Sequence, residues 1–169
     1  MSEPTSIVSA YSPPFRIVSK YFVTAISSFV LLNLFLLLNH SYIVGHHFTP
    51  KILAITHIAT LGWITMIIFG ALFQLIPVVL EVKLFSETLA EVQYWIYIVG
   101  AIGLVYCFWT FTTGMYMNIA AILLTLVMFL FSFNIIMTFT RVKNWNITGL
   151  YLSGAIFYLI VTAIAGLLL

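Results

Sequence analysis

The run Lys51 to Leu80, KILAITHIATLGWITMIIFGALFQLIPVVL, leaves this chain few options. After Lys51 it carries no Asp, Glu, Lys or Arg before Glu81. At ~1.5 Å per residue it is long enough as a helix to cross the ~30 Å hydrocarbon core of a bilayer. It holds the only histidine of the sequence that lies inside a hydrophobic run, His57, followed by Gly62, Trp63, Gly70, Gln74 and Pro77. An imidazole taken into hydrocarbon loses its water and needs a hydrogen-bond acceptor, a counter-charge or a metal.

The rest of the chain repeats that constraint. Of 169 residues 63% are hydrophobic and 6% charged, and the mean hydropathy is +1.19. Ten charged residues cannot cover the surface of a water-soluble domain of this size, so the composition is that of an integral membrane protein. The net charge of +2 is small and scattered, which excludes nucleic-acid binding. A single cysteine, Cys107, excludes an intrachain disulfide. The first twenty residues lack the apolar core and small-residue cleavage site of a secretory signal, so membrane entry is expected to rely on the first hydrophobic helix.

Residues 1–20 read as a polar lead-in ending in a short interfacial helix, with Arg16 and Lys20 facing lipid headgroups. Residues 21–169 read as a single all-α membrane domain, a polytopic bundle with five transmembrane helices at about 21–39, 51–79, 94–111, 116–139 and 147–169. Pro50 sits at a favourable helix start, and Pro77 is expected to end the second span. Tyr94, Trp95, Trp109, Tyr116 and Trp145 cluster at span ends, where amphipathic rings prefer to lie. Small residues such as Gly100, Gly103, Gly149 and Gly154 allow close helix approach and predict a packed bundle. The segment EVKLFSETLAEV, with Glu81, Glu87 and Glu91, reads as an aqueous loop with a solvated face.

Arg16, Lys20, Lys83, Arg141 and Lys143 fall on one side of these spans, and Lys51 alone on the other. The positive-inside rule then places the N-terminus in the cytoplasm. His40, His46 and His47 come in the external loop, and His57 lies ~9 Å into the membrane from that side.

For His57 two readings stand. It is a core histidine bonded to a carbonyl or a tyrosine hydroxyl, or it is a haem axial ligand, binding iron through one nitrogen while the other donates to an acceptor. Leu53, Leu61, Ile64 and Ile68, at helical spacing around it, suit a porphyrin edge and side-chain packing equally. Gly62 and Gly70 admit either a cofactor or another helix. Gln74 and Asn33 call for an interhelical or carbonyl hydrogen bond. His40, His46 and His47 are a candidate external metal site without regular ligand spacing, and solvated loop histidines are the plainer reading. Asn146-Ile147-Thr148 matches a glycosylation sequon but falls on the cytoplasmic side. No Gly-rich phosphate loop, nucleophile–base pair or pair of intramembrane carboxylates appears, which sets aside hydrolytic and nucleotide-driven chemistry.

The spacing His57-x4-Gly62-Trp63-x6-Gly70-x6-Pro77 resembles the second helix of haem–copper oxidase subunit I-like proteins. The likeness is closest to the divergent bacterial branch near nitric oxide reductase and the membrane proteins of the nitrite/nitric-oxide response. Pro14-Phe15-Arg16 is similar to the lead-in of the same group. The resemblance implies that His57 is an axial ligand of a low-spin haem b, with Gly62, Trp63 and Gly70 on the haem-packing face. It also implies a bacterial inner (cytoplasmic) membrane, a cytoplasmic N-terminus and a haem near the external side. It covers the first five helices only. The family's other haem and metal histidines come from later helices, whereas His57 is the last histidine of this chain.

The expected function is therefore that of a membrane haem-binding subunit in electron transfer or gas (O2 or NO) binding, without a complete catalytic site of its own. The second ligand would come from another membrane subunit, from a second copy, or from His40 or His46 closing over the site. A separate protein would donate electrons. The rival expectations are a cofactor-free structural subunit and a metal-handling or transport accessory using the histidine loop.

Overall fold

A computed structural model of the chain describes residues 10–40, 46 and 48–168, with the side chain of Leu167 excepted. Among these residues the regular structure is entirely helical. Five helices are long and apolar enough to cross a membrane, as the hydropathy pattern predicts. They are α1 (Phe15–Leu38), α2 (Pro50–Val79), α3 (Glu87–Thr110), α4 (Met115–Phe139) and α5 (Ile147–Leu168).

Two helix starts differ from the sequence expectation, each for a local reason, and Pro77 lies inside a helix it is expected to end. Helix α1 begins at Phe15, so that residues 15–20 form its first turns, with Ile17 and Val18 already buried in the bundle. Arg16 and Lys20, one turn apart, do not simply face headgroups: both bind the Glu91 carboxylate of α3, Arg16 at 3.1 Å. Glu91 is accordingly an interhelical ion-pair residue at the end of a span and not part of a solvated loop. Helix α3 starts at Glu87 because Ser86 caps it, its Oγ accepting from the Leu89 amide at 3.1 Å, with Glu87 against the positive end of the helix dipole. Helix α2 runs through Pro77 to Val79. The proline removes one amide donor within the last turn, where the cost of breaking the ladder is small.

Helices α3 and α4 are joined by a tight turn and pack antiparallel along their length. Phe111 takes the left-handed conformation (φ 53°), which lets the Thr112 amide reach back to the Cys107 carbonyl at 2.9 Å and closes the end of α3. Gly100 then fits against Leu123 and Leu124, where an added Cβ would come within 3.1 Å of the Leu124 Cγ. Helix α1 lies on the middle and C-terminal parts of α2, the first turns of α2 lie on α3, and α5 packs on α4 and the end of α2. Where these meet, Tyr21, Phe69, Phe73, Tyr97 and Phe131 are fully buried, and Phe69 stacks on Phe131 at 4.3 Å between ring centres.

The α2–α3 connection is held by polar side chains of α4. The Asn134 side chain accepts from the Ser86 amide (3.0 Å) and donates to the Ser86 carbonyl (2.9 Å). Thr138 Oγ1 accepts from the Phe85 amide at 3.0 Å, and Arg141 donates to the Leu84 carbonyl at 3.2 Å. Asn146, the first residue of the sequon, caps α5 by accepting from the Gly149 amide at 2.8 Å. Asn134 is fully buried. Asn134→Leu should therefore strand two backbone groups at about 1–3 kcal/mol each, read as a loss of stability in denaturant unfolding of the detergent-solubilised protein.

Candidate haem-ligand site on the second helix

His57 closes the first α-helical turns of α2 (Pro50–His57). Its Nδ1 lies 2.7 Å from the Leu53 carbonyl one turn earlier. A carbonyl only accepts, so Nδ1 carries the proton and Nε2 keeps its lone pair. Among the described residues Nε2 has no hydrogen-bond partner. The ring is half-buried and stacks on Phe108 of α3, with centres 4.4 Å apart and planes 29° apart. Both contacts fix the plane of the imidazole.

Directly after His57 the helix widens. Ile58–Thr65 is π-helical, and the α register resumes at Met66. Thr65 Oγ1 donates to the Thr60 carbonyl, five residues back, at 2.8 Å. The buried Tyr97 of α3 donates its hydroxyl proton to the Leu61 carbonyl at 2.9 Å. Widened turns of this kind free a carbonyl from its helical partner and recur at functional sites. Nothing in the hydropathy of the stretch announces the change. The legible signals are a glycine within it, Gly62, and threonines at 56, 60 and 65, whose last interval is five residues.

The motif residues divide between two neighbours. His57 meets α3, whereas Gly62, Trp63 and Gly70 meet α1. A Cβ at Gly62 would lie 2.8 Å from Ser28 Oγ, and one at Gly70 would lie 3.0 Å from the Cβ of Tyr21. Trp63 packs against Phe29 with centres 4.5 Å apart. Both glycines thus serve close helix approach. Gln74 lies on the exposed face and makes no bond to another helix, contrary to expectation. Asn33 donates to the Phe29 carbonyl of its own helix at 2.7 Å.

The loop histidines are engaged locally. His40 Nδ1 lies 3.2 Å from the Leu37 carbonyl, and His46 Nδ1 accepts from the Phe48 amide at 3.3 Å. His47 lies outside the described residues. Among the described residues no three His, Cys, Asp or Glu side chains converge as a metal would require. His57 nevertheless suits one axial position of a haem: a proton fixed on one nitrogen, a lone pair on the other, and a ring plane set by its neighbours. The fit is that of half a bis-histidine site.

Sequence reasoning missed several polar groups. Besides Tyr97, these are the Thr24–Tyr94 hydroxyl pair (2.7 Å) and two fully buried side chains, Gln93 and Ser132, whose polar atoms have no partner among the described residues. It also missed a cavity of about 680 Å³ between α1, the π-helical turn and α3, walled by Ser28, Leu31, Gly62, Ala101 and Val105 among others. His57 is not one of its walls.

No family model, curated protein or solved structure matches the chain.

Tyr97→Phe should remove the donor from the Leu61 carbonyl and cost about 0.5–1.5 kcal/mol. Faster amide exchange confined to residues 58–65 in hydrogen–deuterium exchange mass spectrometry would register the loosened π segment.

Proposed function

We propose that this integral membrane protein is a haem-bearing subunit that contributes His57 as one axial ligand of a b-type haem. The second imidazole is supplied by another copy or by a partner membrane subunit. The observation that carries the reading is the Nδ1–Leu53 hydrogen bond, which leaves an unengaged Nε2 on an apolar helix. Imidazoles that ligate metals commonly donate their other N–H to a carbonyl in this way, which raises the basicity of the ligating nitrogen. The resemblance of the His57–Pro77 spacing to haem–copper oxidase subunit I-like proteins supports it from the sequence side. When bound, such a haem supplies a one-electron iron couple or a gas-binding centre.

The chain's own part is positional. The Leu53 carbonyl holds the tautomer, Phe108 holds the ring plane, and the apolar flank around Leu53 and Ile64 keeps water away. Cations gathered on the Phe15–Val79 side favour a cytoplasmic N-terminus, which sets His57 in the external half of a bacterial inner membrane. Electrons would come from a separate donor protein.

One observation favours a second reading, the cofactor-free structural subunit. Three of the five motif residues, Gly62, Trp63 and Gly70, are taken up by packing against α1.

A reduced-minus-oxidised optical spectrum distinguishes the two. Wild-type protein purified from haem-replete cells should give sharp b-type bands, and His57→Ala should lack them with an unchanged gel-filtration profile. A flat wild-type spectrum overturns haem binding by the isolated chain and leaves either the structural subunit or half of a site completed by another polypeptide.

A further inference from the structure

Helices α1 and α3 start on the same side of the bundle and run in the same direction. They touch at two levels and part between them. At the first level the Thr24 and Tyr94 hydroxyls are 2.7 Å apart. At the second, Phe35 meets Trp109 edge-on with centres 5.0 Å apart. These bridges lie eleven residues apart on α1 and fifteen on α3, or roughly 16 and 22 Å at ~1.5 Å per residue. The 680 Å³ cavity fills the gap between them, floored by Ile58, Gly62 and Met66 of α2. Both ends of this slot are therefore shut and its mouth is lateral, where Val23 and Ile102 are 62% and 65% exposed. That mouth faces lipid.

The occupant has to come from the hydrocarbon phase, and the slot's dimensions limit what it can be. A membrane-spanning partner helix, ~10 Å across, would have to run past both ends of the slot, which the Thr24–Tyr94 and Phe35–Trp109 contacts close. The walls are mostly hydrocarbon; at the Thr24–Tyr94 end those two hydroxyls bond each other and the Tyr97 proton goes to the Leu61 carbonyl, which leaves the Ser27 and Ser28 hydroxyls as the polar groups of the wall there. A polar head buried there would find few donors. The other end lies near the membrane surface, three residues from the end of α1, and there the Lys51 ammonium sits 5.3 Å from the centre of the Trp109 ring. Lys51 is the only Lys or Arg on that side of the chain, and Lys and Trp at this level are the usual neighbours of lipid headgroups.

We propose that the slot holds one acyl chain of a membrane phospholipid, with the lipid's phosphate beside Lys51 and Trp109. Its length of roughly 16–22 Å exceeds the ~15 Å of one leaflet of a ~30 Å core, so it takes the whole of a chain descending from that surface. The inference is independent of haem binding.

The test is to reconstitute the full chain into nanodiscs of phosphatidylethanolamine and phosphatidylglycerol, transfer it to mild detergent, and count retained phospholipid by native mass spectrometry. Wild type should keep one phospholipid per chain, as should Ala155→Trp on the exposed face of α5. Ala101→Trp, which fills the slot, should lower retention about tenfold, the equivalent of two displaced methylenes. Lys51→Gln should lower it by a smaller factor. Val105→Phe carries the same expectation as Ala101→Trp if the tryptophan variant is not monodisperse. Retention unchanged by either slot-filling variant, no retained lipid in wild type, or retention of a headless lipid-soluble compound by protein purified from native membranes would each overturn the proposal.

Discussion

A backbone carbonyl that leaves its helical register inside a bilayer has no water to turn to, so a donor must come from the protein. In this chain the buried hydroxyl of Tyr97 is that donor, and its bond to the Leu61 carbonyl spans the point where α2 widens. Much of the bundle is arranged around this contact. The widened turn lies between His57, stacked on Phe108, and the Phe69–Phe73–Phe131 cluster that holds the lower half of α2 in the core. Tyr97 itself packs edge-on against Phe69, so the donor is held by the same aromatic cluster.

The membrane ends are treated by the same rule with different groups. The α2–α3 connection turns back into the bundle, and its amides and carbonyls meet Asn134 and Thr138 of α4, and Arg141 just beyond it, in place of water. Three of the charges on that side are paired between α1 and α3, with Glu91 between Arg16 and Lys20 and the Lys20 ammonium also near the Trp95 ring at 5.7 Å. An exposed ion pair contributes little to stability. What this one does is register α1 against α3 at one level, as Thr24 with Tyr94 and Phe35 with Trp109 do further along. The slot exists because those contacts are spaced along two helices that otherwise diverge.

The five spans were legible because hydrocarbon solvent imposes one dominant signal, a long apolar run, and every run here is interrupted by charge, Pro or a Gly turn. What hydropathy cannot carry is pairing. Glu91 looks solvated until α1 is laid beside α3, and nothing near it in sequence announces Arg16. Helix starts hidden in the charged segment were readable in principle, since Ser86 followed by Glu87 is a capping pattern, but the charges around it drew the reading towards a loop. The division of the His57 motif between two neighbours was legible, since at about 100° per residue Gly62, Trp63 and Gly70 fall roughly 140°, 240° and 220° round the helix from His57. The π-helical turn itself was not, because hydropathy carries no signal for it.

The geometry of His57 also constrains what could complete a haem site. With His57 half-exposed on the bundle surface and His40 and His46 bonded within their own loop, two arrangements supply the second imidazole from outside the chain: a partner subunit with its own histidine, or a second copy of the same chain. A second copy would place both His57 rings about a twofold axis, and the iron would have to lie on that axis. The stoichiometry would then be one haem for two chains, and His57→Ala in either copy would empty the whole site. A partner subunit would give one haem per chain and a loss confined to the altered chain. Mixed preparations of wild-type and His57→Ala chains separate the two: haem content that falls with the square of the wild-type fraction marks the symmetric pair, and a linear fall marks the partner.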